Sequence, residues 1–361
     1  MIQKIKRYIK SIVQESESEI FNKVISQIRS TVLINSHSQP NGNEHLVYDA
    51  YLSSNIKNIM SFLAEQRIAE IDKLPIGATP EKQKLTSKLS TQRDMESSWC
   101  RYWTRELKMP FYYHRKLWEL GFVLQALFDH DMFGKTGVGL ACGTEVLPSY
   151  LIAKGCTITA GDKPFAKNNL EQEGWATSNQ YTQSKDSLYY AQLVDRAIFD
   201  DKFTLAYVDM NDLPQDLYES FDFCWSICAI EHLGSIRHGL EFLKNSLKLL
   251  RKGGISVHTT EFNLLSDKAT IDNWGSVLFT KSHLGKSLSD EIAQVGGRLY
   301  PFDFAIGDGF FDRYIDMPPY PHQNVAGIDA PLRDPGLLLP HIKLLCDGFP
   351  VTCAGIIIQK Q

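Results

Sequence analysis

Residues 136–145 read TGVGLACGTE, and residues 156–162 read CTITAGD. The first stretch is typical of a buried strand that ends near Leu140 and enters a turn of small residues, where a backbone can approach a ligand closely. Residues 146–153 (VLPSYLIA) then favour a helix, and Cys156 begins a second strand that ends in Asp162. In open parallel sheets a nucleoside binds at the carboxyl ends of the strands, and an acid there accepts hydrogen bonds from the ribose. The two stretches therefore predict an α/β fold with a nucleoside site at Asp162.

The turn lacks the spacing of a dinucleotide-binding loop, Gly-x-Gly-x-x-Gly, in which a pyrophosphate rests on a helix N-terminus. Its small residues are Gly139, Ala141 and Gly143, and Glu145 stands at the start of the helix. A carboxylate there repels a phosphate but attracts the cationic end of S-adenosylmethionine. The turn resembles the first motif of class I S-adenosylmethionine-dependent methyltransferases. It differs from that motif at Gly139, where an acid is usual, and at Ala141 and Glu145, where glycines are usual.

Later segments follow the order of the same family. Residues 203–214 (FTLAYVDMNDLP) predict a third strand with an acidic turn, and residues 221–233 (FDFCWSICAIEHL) predict a fourth strand with a Glu-His-Leu turn. A helix over 239–250 and a fifth strand over 255–261 (ISVHTTE) follow. The resemblance over residues 135–262 implies a Rossmann-like seven-stranded sheet with an antiparallel last strand, and S-adenosyl-L-methionine as cofactor. It places the cofactor at residues from four strand ends: Gly139, Ala141, Gly143, Glu145, Asp162, Asp209, Met210, Ile227 and Glu231. Among these, the resemblance implies that Asp209 and Met210 bracket the adenine ring.

Methyl transfer to a hydroxyl requires a base that removes the hydroxyl proton, and three residues near the strand ends are candidates. We rank His232 first, Glu261 second and His258 third as catalytic residues. The alternative for His232 is a structural histidine at the start of a helix. Strand side chains alternate between the two faces of a sheet, so His258 and Thr260 share one face and Glu261 lies on the other. One of His258 and Glu261 is then expected to face the acceptor.

Residues 96–134 are rich in aromatic and cationic side chains. Such a segment before the first strand suits a lid over cofactor and acceptor, because aromatic faces attract a sulfonium and cover the apolar faces of sugar rings. Trp103, Tyr112 and His114 are the predicted lid residues. An alternative of equal weight is that these rings only pack helices over the sheet.

The C-terminal part predicts strands over 297–304 and 351–358, with an insertion over 304–348 between them. Its Asp-Arg-Tyr-Ile-Asp-x-Pro-Pro loop, the Glu-His-Leu-Gly turn and the His-Thr-Thr-Glu strand resemble bacterial surface-polysaccharide methyltransferases. That resemblance implies a sugar, nucleotide-sugar or lipid-linked glycan substrate, contacted by Asp312, Tyr314 and His341. The alternative is an irregular surface loop. The spacing of Asp308, Asp312 and His341 matches no ligand pattern, so no metal site is predicted.

Residues 1–95 form a separate helical region by sequence, with helices predicted over 56–74 and 81–95, and residues 96–361 form the methyltransferase domain. Isoleucines recur at helical spacing at positions 2, 5, 9 and 12, which predicts a helix on the core or on a second subunit of a homo-oligomer. A sharper alternative is weak peripheral contact of residues 1–13 with an anionic membrane. The net charge of -4 gives no reason to expect a nucleic-acid partner. Seven scattered cysteines and the lack of a membrane-spanning apolar run favour a reduced, cytoplasmic protein.

These features together predict an enzyme that O-methylates a sugar or glycan biosynthetic intermediate. Three alternatives stay open: a methyltransferase for a small-molecule or lipid-phosphate acceptor, a nicotinamide-dependent oxidoreductase on a similar sheet, and a non-catalytic scaffold. The oxidoreductase shares the acid after the second strand, but Glu145 disfavours it. The departures from the family motif at Gly139 and Glu145 are the reason to retain the non-catalytic scaffold as an alternative.

Overall fold

The computed structural model describes residues 42–165, 180–318, 320 and 339–361 of the chain. The predicted membrane or subunit contact of residues 1–13 lies outside the described residues. Parts of the predicted insertion, residues 321–338, also lie outside them.

The region before the first predicted strand is helical with one exception. It contains α1 (Gly42–Ile71), β1 (Ser87–Leu89), α2 (Gln92–Glu96), α3 (Ser98–Glu106) and α4 (Arg115–Asp129). The helix predicted over 81–95 is wrong, because β1 pairs with the last strand of the sheet and only α2 remains helical there. The sheet therefore begins inside the region that the sequence assigned to the helical appendage.

The rest of the chain alternates between strands and helices. In order these are β2 (Thr136–Leu140), α5 (Leu147–Ala153), β3 (Thr157–Gly161), α6 (Arg196–Lys202), β4 (Phe203–Leu205), β5 (Phe221–Ile227), α7 (Ile236–Leu249), β6 (Leu250–Asn263), α8 (Lys281–Leu284), α9 (Lys286–Gln294), β7 (Gly297–Leu299), β8 (Phe302–Asp303), β9 (Leu344–Cys346) and β10 (Phe349–Lys360). Short 3₁₀ turns lie at Lys185–Leu188, Gln215–Leu217 and Ile230–His232.

The strands form one sheet in the order β4-β3-β2-β5-β6-β10-β1-β8, with β7 and β9 also paired to β10. Strands β2 to β6 are parallel to one another, and β10 is antiparallel to β6. This is the class I methyltransferase arrangement with three short strands added, which confirms the predicted Rossmann-like fold with an antiparallel last strand. The predicted sixth strand is divided, because β7 pairs with β10 whereas β8 pairs with β1.

Helices cover both faces of the sheet, as two separate apolar clusters show. Alternation along β5 places Phe223 and Trp225 in the cluster that contains α4, and Cys224 in the cluster that contains α7. Gly355 of β10 lets α4 approach closely, since a Cβ at this position would lie 2.4 Å from the Phe122 ring. Within the described ranges, no helix combines the length and apolarity that crossing a bilayer requires.

Candidate active site

The sheet reverses its winding between β2 and β5, which is where open α/β sheets hold ligands. The turn after β2 is tight, because Ala141 and Gly143 both have positive φ angles, of 53° and 54°. A Cβ at Gly139 would lie 2.4 Å from the Trp225 ring and 2.5 Å from the sulfur of Cys142. A Cβ at Gly143 would lie 2.9 Å from the carbonyl oxygen of Gln180. Gly139 and Gly143 thus make room for protein groups, and the role of this turn toward a ligand stays a prediction.

Asp162 lies at the end of β3, and its carboxylate is held by the backbone. Its Oδ2 atom accepts hydrogen bonds from the backbone N–H of Gly143 (3.2 Å) and of Thr182 (2.6 Å). The Thr182 hydroxyl donates in turn to the carbonyl of Gly143 (2.6 Å), so this segment fastens the turn to β3. Asp162 is only 7% exposed, and this burial raises its pKa. The acid thus stands at the predicted place in a fixed orientation.

An aromatic cavity of about 500 Å³ begins two residues beyond Asp162. Pro164, Phe165, Tyr181, Gln183 and Tyr207 line it. The phenol of Tyr181 donates to the carbonyl of Lys163 (2.8 Å), and that of Tyr207 donates to the carbonyl of Gln183 (3.2 Å). Aromatic walls of this kind suit a planar nucleobase.

Two residues predicted to bracket adenine are absent from the described lining of that cavity. Met210 is buried in the core on the α7 side. Asp209 accepts a hydrogen bond from the backbone of Asn211 (2.9 Å) in the turn after β4. The sequence did not single out Phe165, Tyr181 or Tyr207, although aromatic residues near two strand ends were a visible signal.

Glu145 lies against the strand below the turn. Its carboxylate accepts a hydrogen bond from the indole N–H of Trp225 at 2.5 Å. Burial raises the pKa of Glu145 to about 7, and the hydrogen bond from Trp225 opposes that shift. Glu145 therefore changes charge near neutral pH.

A polar cluster lies beside the turn, at the carboxyl ends of β5 and β6. Gly139 pairs with Trp225 in parallel strands, so the residues after β5 lie about 5 Å from those after β2. Both oxygens of the buried Glu119 carboxylate accept hydrogen bonds from thiols, Oε2 from Cys228 (2.9 Å) and Oε1 from Cys353 (3.1 Å). Its Oε2 also accepts from the hydroxyl of Thr259 (2.7 Å). No sequence motif pointed to Glu119, although a glutamate on the buried face of an apolar helix was a signal.

Glu261 belongs to the same region and forms an ion pair with Arg115 through its Oε1 atom. Its other oxygen, Oε2, is buried and has no hydrogen-bond partner. The Nε atom of Arg115 is likewise buried without a partner. Burial raises the pKa of Glu261 against the opposing effect of Arg115. Glu231 is also buried and accepts a hydrogen bond from the hydroxyl of Thr260 (3.0 Å). Ile227, the last residue of β5, is half-buried. The predicted residues Glu231 and Glu261 thus come together.

The two predicted catalytic histidines have different surroundings. His232 lies in the turn after β5, and its Nδ1 atom is 2.8 Å from the carbonyl oxygen of Gly275. His258 is fully buried between the sheet and α7, with Nδ1 2.8 Å from the hydroxyl of Ser226 and Nε2 2.6 Å from that of Ser256. Burial lowers the pKa of His258 to about 3. The prediction that His258 acts as a base is corrected, because both ring nitrogens are engaged in the core.

Two predicted substrate contacts are also structural. Trp103 is fully buried and its indole N–H donates to Gln125 (2.8 Å), so it packs α3 against α4 rather than covering a site. Asp312 accepts from Lys343 (3.0 Å) and from the backbone N–H of Gln92 (3.0 Å), both through Oδ1. Both predictions are therefore corrected.

The remaining four predicted substrate contacts lie together around Asp316. The rings of His114 and His341 stack at 4.7 Å, and Tyr112 meets His114 edge-on at 5.6 Å. Asp316 accepts from His341 (2.7 Å) and from the phenol of Tyr314 (3.4 Å). Burial and the neighbouring His341 lower the pKa of His114 to about 2, so its ring is neutral. The backbone N–H of Arg115 donates to the carbonyl of His341 (3.1 Å), which ties this histidine cluster to the Arg115–Glu261 pair.

No protein-family model matches the chain, and no curated protein matches it. Similar solved structures include one from Galdieria sulphuraria described as a sarcosine dimethylglycine methyltransferase. It is 13% identical, with a TM-score of 0.38 over 73% of this chain and 99% of that one. An S-adenosylmethionine-dependent methyltransferase from Listeria monocytogenes is 11% identical, with a TM-score of 0.32 over 66% of this chain and 99% of that one.

A zinc-dependent alcohol dehydrogenase from Rhodobacter sphaeroides is 16% identical, with a TM-score of 0.26 over 37% of this chain. This chain spans 46% of that dehydrogenase. At such identities and TM-scores the likeness concerns the fold and does not decide the reaction.

Proposed function

We propose that this chain is an S-adenosylmethionine-dependent methyltransferase that acts on a hydroxyl of a sugar or glycan biosynthetic intermediate. The observation that carries the proposal is the position of Asp162. It lies at the carboxyl end of β3, next to the turn after β2 where the sheet reverses its winding, and an aromatic cavity of about 500 Å³ begins beside it. A carboxylate for a ribose next to aromatic walls for a base is the donor and acceptor set that an adenosine needs.

The chain's own residues fit the cofactor in three parts. Backbone donors hold Oδ2 of Asp162, so Oδ1 would accept from the ribose hydroxyls. Phe165 and Tyr207 would cover the base. Glu145 would face the positively charged end, where a carboxylate is attractive. When bound, the cofactor supplies a methyl group on a sulfonium. The roles of Asp209 and Met210 toward adenine stay a prediction.

The acceptor half of the proposal is supported by the histidine cluster and by the acids beside it. The stacked rings of His114 and His341, with Tyr112 and Tyr314, offer apolar faces of the kind that cover the C–H face of a sugar. Glu231 and Glu261 offer oxygens that accept hydrogen bonds from hydroxyls. This pairing of rings and carboxylates favours a polyhydroxylated acceptor over an apolar one.

His232 is the proposed base. If its Nδ1–H donates to the carbonyl of Gly275, the basic lone pair of the ring lies on Nε2. A positioned base of this kind contributes about 10²–10⁴-fold to the rate of a proton transfer.

The cofactor assignment is tested by calorimetry with S-adenosylhomocysteine. We expect the wild-type protein to bind it, and Asp162→Asn to bind it about 10–100-fold more weakly, because a hydrogen bond to a charged group contributes about 1.5–3 kcal/mol. Asn is chosen because its carbonyl can still accept from the backbone of Gly143 and Thr182. The matched control is Asp290→Ala, an exposed acid on α9, which should leave the affinity unchanged.

A thermal melt of each variant shows whether the fold is retained. Absence of heat from the wild-type protein at millimolar ligand would rule out the cofactor. Heat with a reduced nicotinamide dinucleotide instead would favour the oxidoreductase.

A further inference from the structure

Three side chains near the end of β5 bring together the donor atoms of a metal site. One ligand atom each from Cys228, Glu231 and Glu261 lies within 4.8 Å of the other two. Cys228 is the first residue after β5, with a φ of 45°, Glu231 lies in the turn that follows, and Glu261 is near the end of β6. A thiolate with carboxylate oxygens is a ligand set that zinc and similar divalent metals take.

An unpartnered atom points to a ligand at this place. The Glu261 side chain is 9% exposed, its Oε1 is paired with Arg115, and its Oε2 is buried without a partner. Buried polar atoms are nearly always hydrogen-bonded, so a buried carboxylate oxygen without a partner requires an explanation. A bound cation would supply the missing partner.

The two carboxylates are held in the way that metal ligands are held. Arg115 contacts one oxygen of Glu261, and the hydroxyl of Thr260 donates to Oε2 of Glu231 at 3.0 Å. In each case a neighbouring donor fixes one oxygen and so orients the carboxylate. Such neighbours orient the ligands of metal sites and raise their affinity.

A neighbouring group of ligand atoms is less suited to a metal. Glu119, Cys228 and Cys353 also lie within 4.8 Å of one another. However, both Glu119 oxygens already accept hydrogen bonds from thiols and from Thr259. Cys228 belongs to both groups, and a metal on its sulfur would displace its hydrogen bond to Glu119, whose Oε2 would keep Thr259 (2.7 Å) and Lys116 (3.7 Å) as partners. The unsatisfied oxygen belongs to Glu261.

We propose that Cys228, Glu231 and Glu261 bind a divalent cation of the zinc type. The spacing of the sequence did not predict it, because Cys228 and Glu261 meet only through the pairing of β5 with β6. A cation there would coordinate an acceptor hydroxyl and lower the pKa of that hydroxyl, as zinc does for bound water. The O–H bond would then break with transfer of the proton to His232, the proposed base. This role rests on the proposed methyl transfer, whereas cation binding does not.

The test is a titration of the metal-free protein with cobalt(II), which replaces zinc and is visible in absorption spectra. We expect one cobalt per chain and a thiolate-to-cobalt charge-transfer band in the near ultraviolet. Cys228→Ser should lose the band, and Glu261→Gln should weaken cobalt binding at least about tenfold. Cys353→Ser is the matched control and should keep both band and affinity, because Cys353 lies outside the proposed ligands.

Two results would overturn the proposal. One is the absence of stoichiometric cobalt binding in the wild-type protein. The other is loss of the band in Cys353→Ser, which would move the site to Glu119 and the two thiols. Should Cys228→Ser not fold in a thermal melt, Glu261→Gln decides the question. Calorimetry with S-adenosylhomocysteine on the same metal-free protein tests the cofactor separately, so failure of the cation site and failure of the methyltransferase assignment give different results.

Discussion

Replacement of His258 tests whether this histidine stabilises the fold as a neutral buried residue. Its ring is fully buried, it contacts the hydroxyls of Ser226 and Ser256, and Phe242 packs edge-on at 5.1 Å. Burial lowers its pKa from the ordinary 6.5 to about 3. The unfolded chain therefore binds a proton at this residue at a pH where the folded chain does not.

The sign of the effect follows from this difference. Because the pKa of His258 is lower in the folded chain than in the unfolded chain, protonation of this residue favours unfolding. Above about pH 6.5 the residue is neutral in both states and has little effect, and stability is lost as the pH falls from about 6.5 toward 3. Between about pH 7.5 and pH 5 the loss from this one residue is about 2 kcal/mol, since each unit of pKa difference corresponds to about 1.4 kcal/mol. We expect His258→Gln, which cannot be protonated, to lack this part of the pH dependence.

The assay is urea denaturation of the wild-type protein and of His258→Gln at both pH values. Other groups contribute equally to both proteins, so the difference between the two pH dependences reports His258 alone. The wild-type protein should lose about 2 kcal/mol more than the variant. Parallel pH dependences would refute a neutral buried His258, and a large loss of turnover in a fully folded variant would restore its catalytic role.

Three further predictions concern other residues. Raising the pH through about 7 should strengthen binding of S-adenosylmethionine relative to that of S-adenosylhomocysteine, because Glu145 becomes charged. In Glu145→Gln the ratio of the two affinities, measured by calorimetry, should not change with pH. His232→Ala should lose about 10²–10⁴-fold in turnover with unchanged cofactor affinity, and unchanged turnover would remove it as the base. Lys343→Met should lower the free energy of unfolding by about 3–5 kcal/mol in a denaturant titration, because it leaves Asp312 buried without its ion-pair partner. The control Arg93→Ala removes an exposed ion pair and should change the free energy of unfolding little.

The sequence pattern was sufficient for the sheet and for the place of Asp162. Apolar runs that end in small residues and acids are local features, and they located β2, β3 and β5 near their observed positions. Pairing at the edge of the sheet was not local. Strand β1 is three residues long and exists because β8 and β10, both more than 200 residues later, pair with it.

Side-chain roles in the aromatic segment could not be read from composition. Trp103 and His114 are both aromatic residues near cationic neighbours, yet Trp103 is fully buried and His114 stacks on His341. Which ring packs in the core and which lines a site depends on the elements that cover it. Likewise Asp312 reads as an exposed loop acid, whereas in the fold it accepts from Lys343 and from the start of α2.

The succession of strands along the chain, the turn after β2 and the acid after β3 could thus be predicted from the sequence. Hydrophobic periodicity and small residues determine local structure over a few neighbouring residues. The polar centre beside that turn was decided only by folding. Cys228 and Cys353 are 125 residues apart, yet their sulfurs lie 3.7 Å apart because β5, β6 and β10 are adjacent strands. Contacts across strands follow from register and packing, and no short stretch of sequence specifies either.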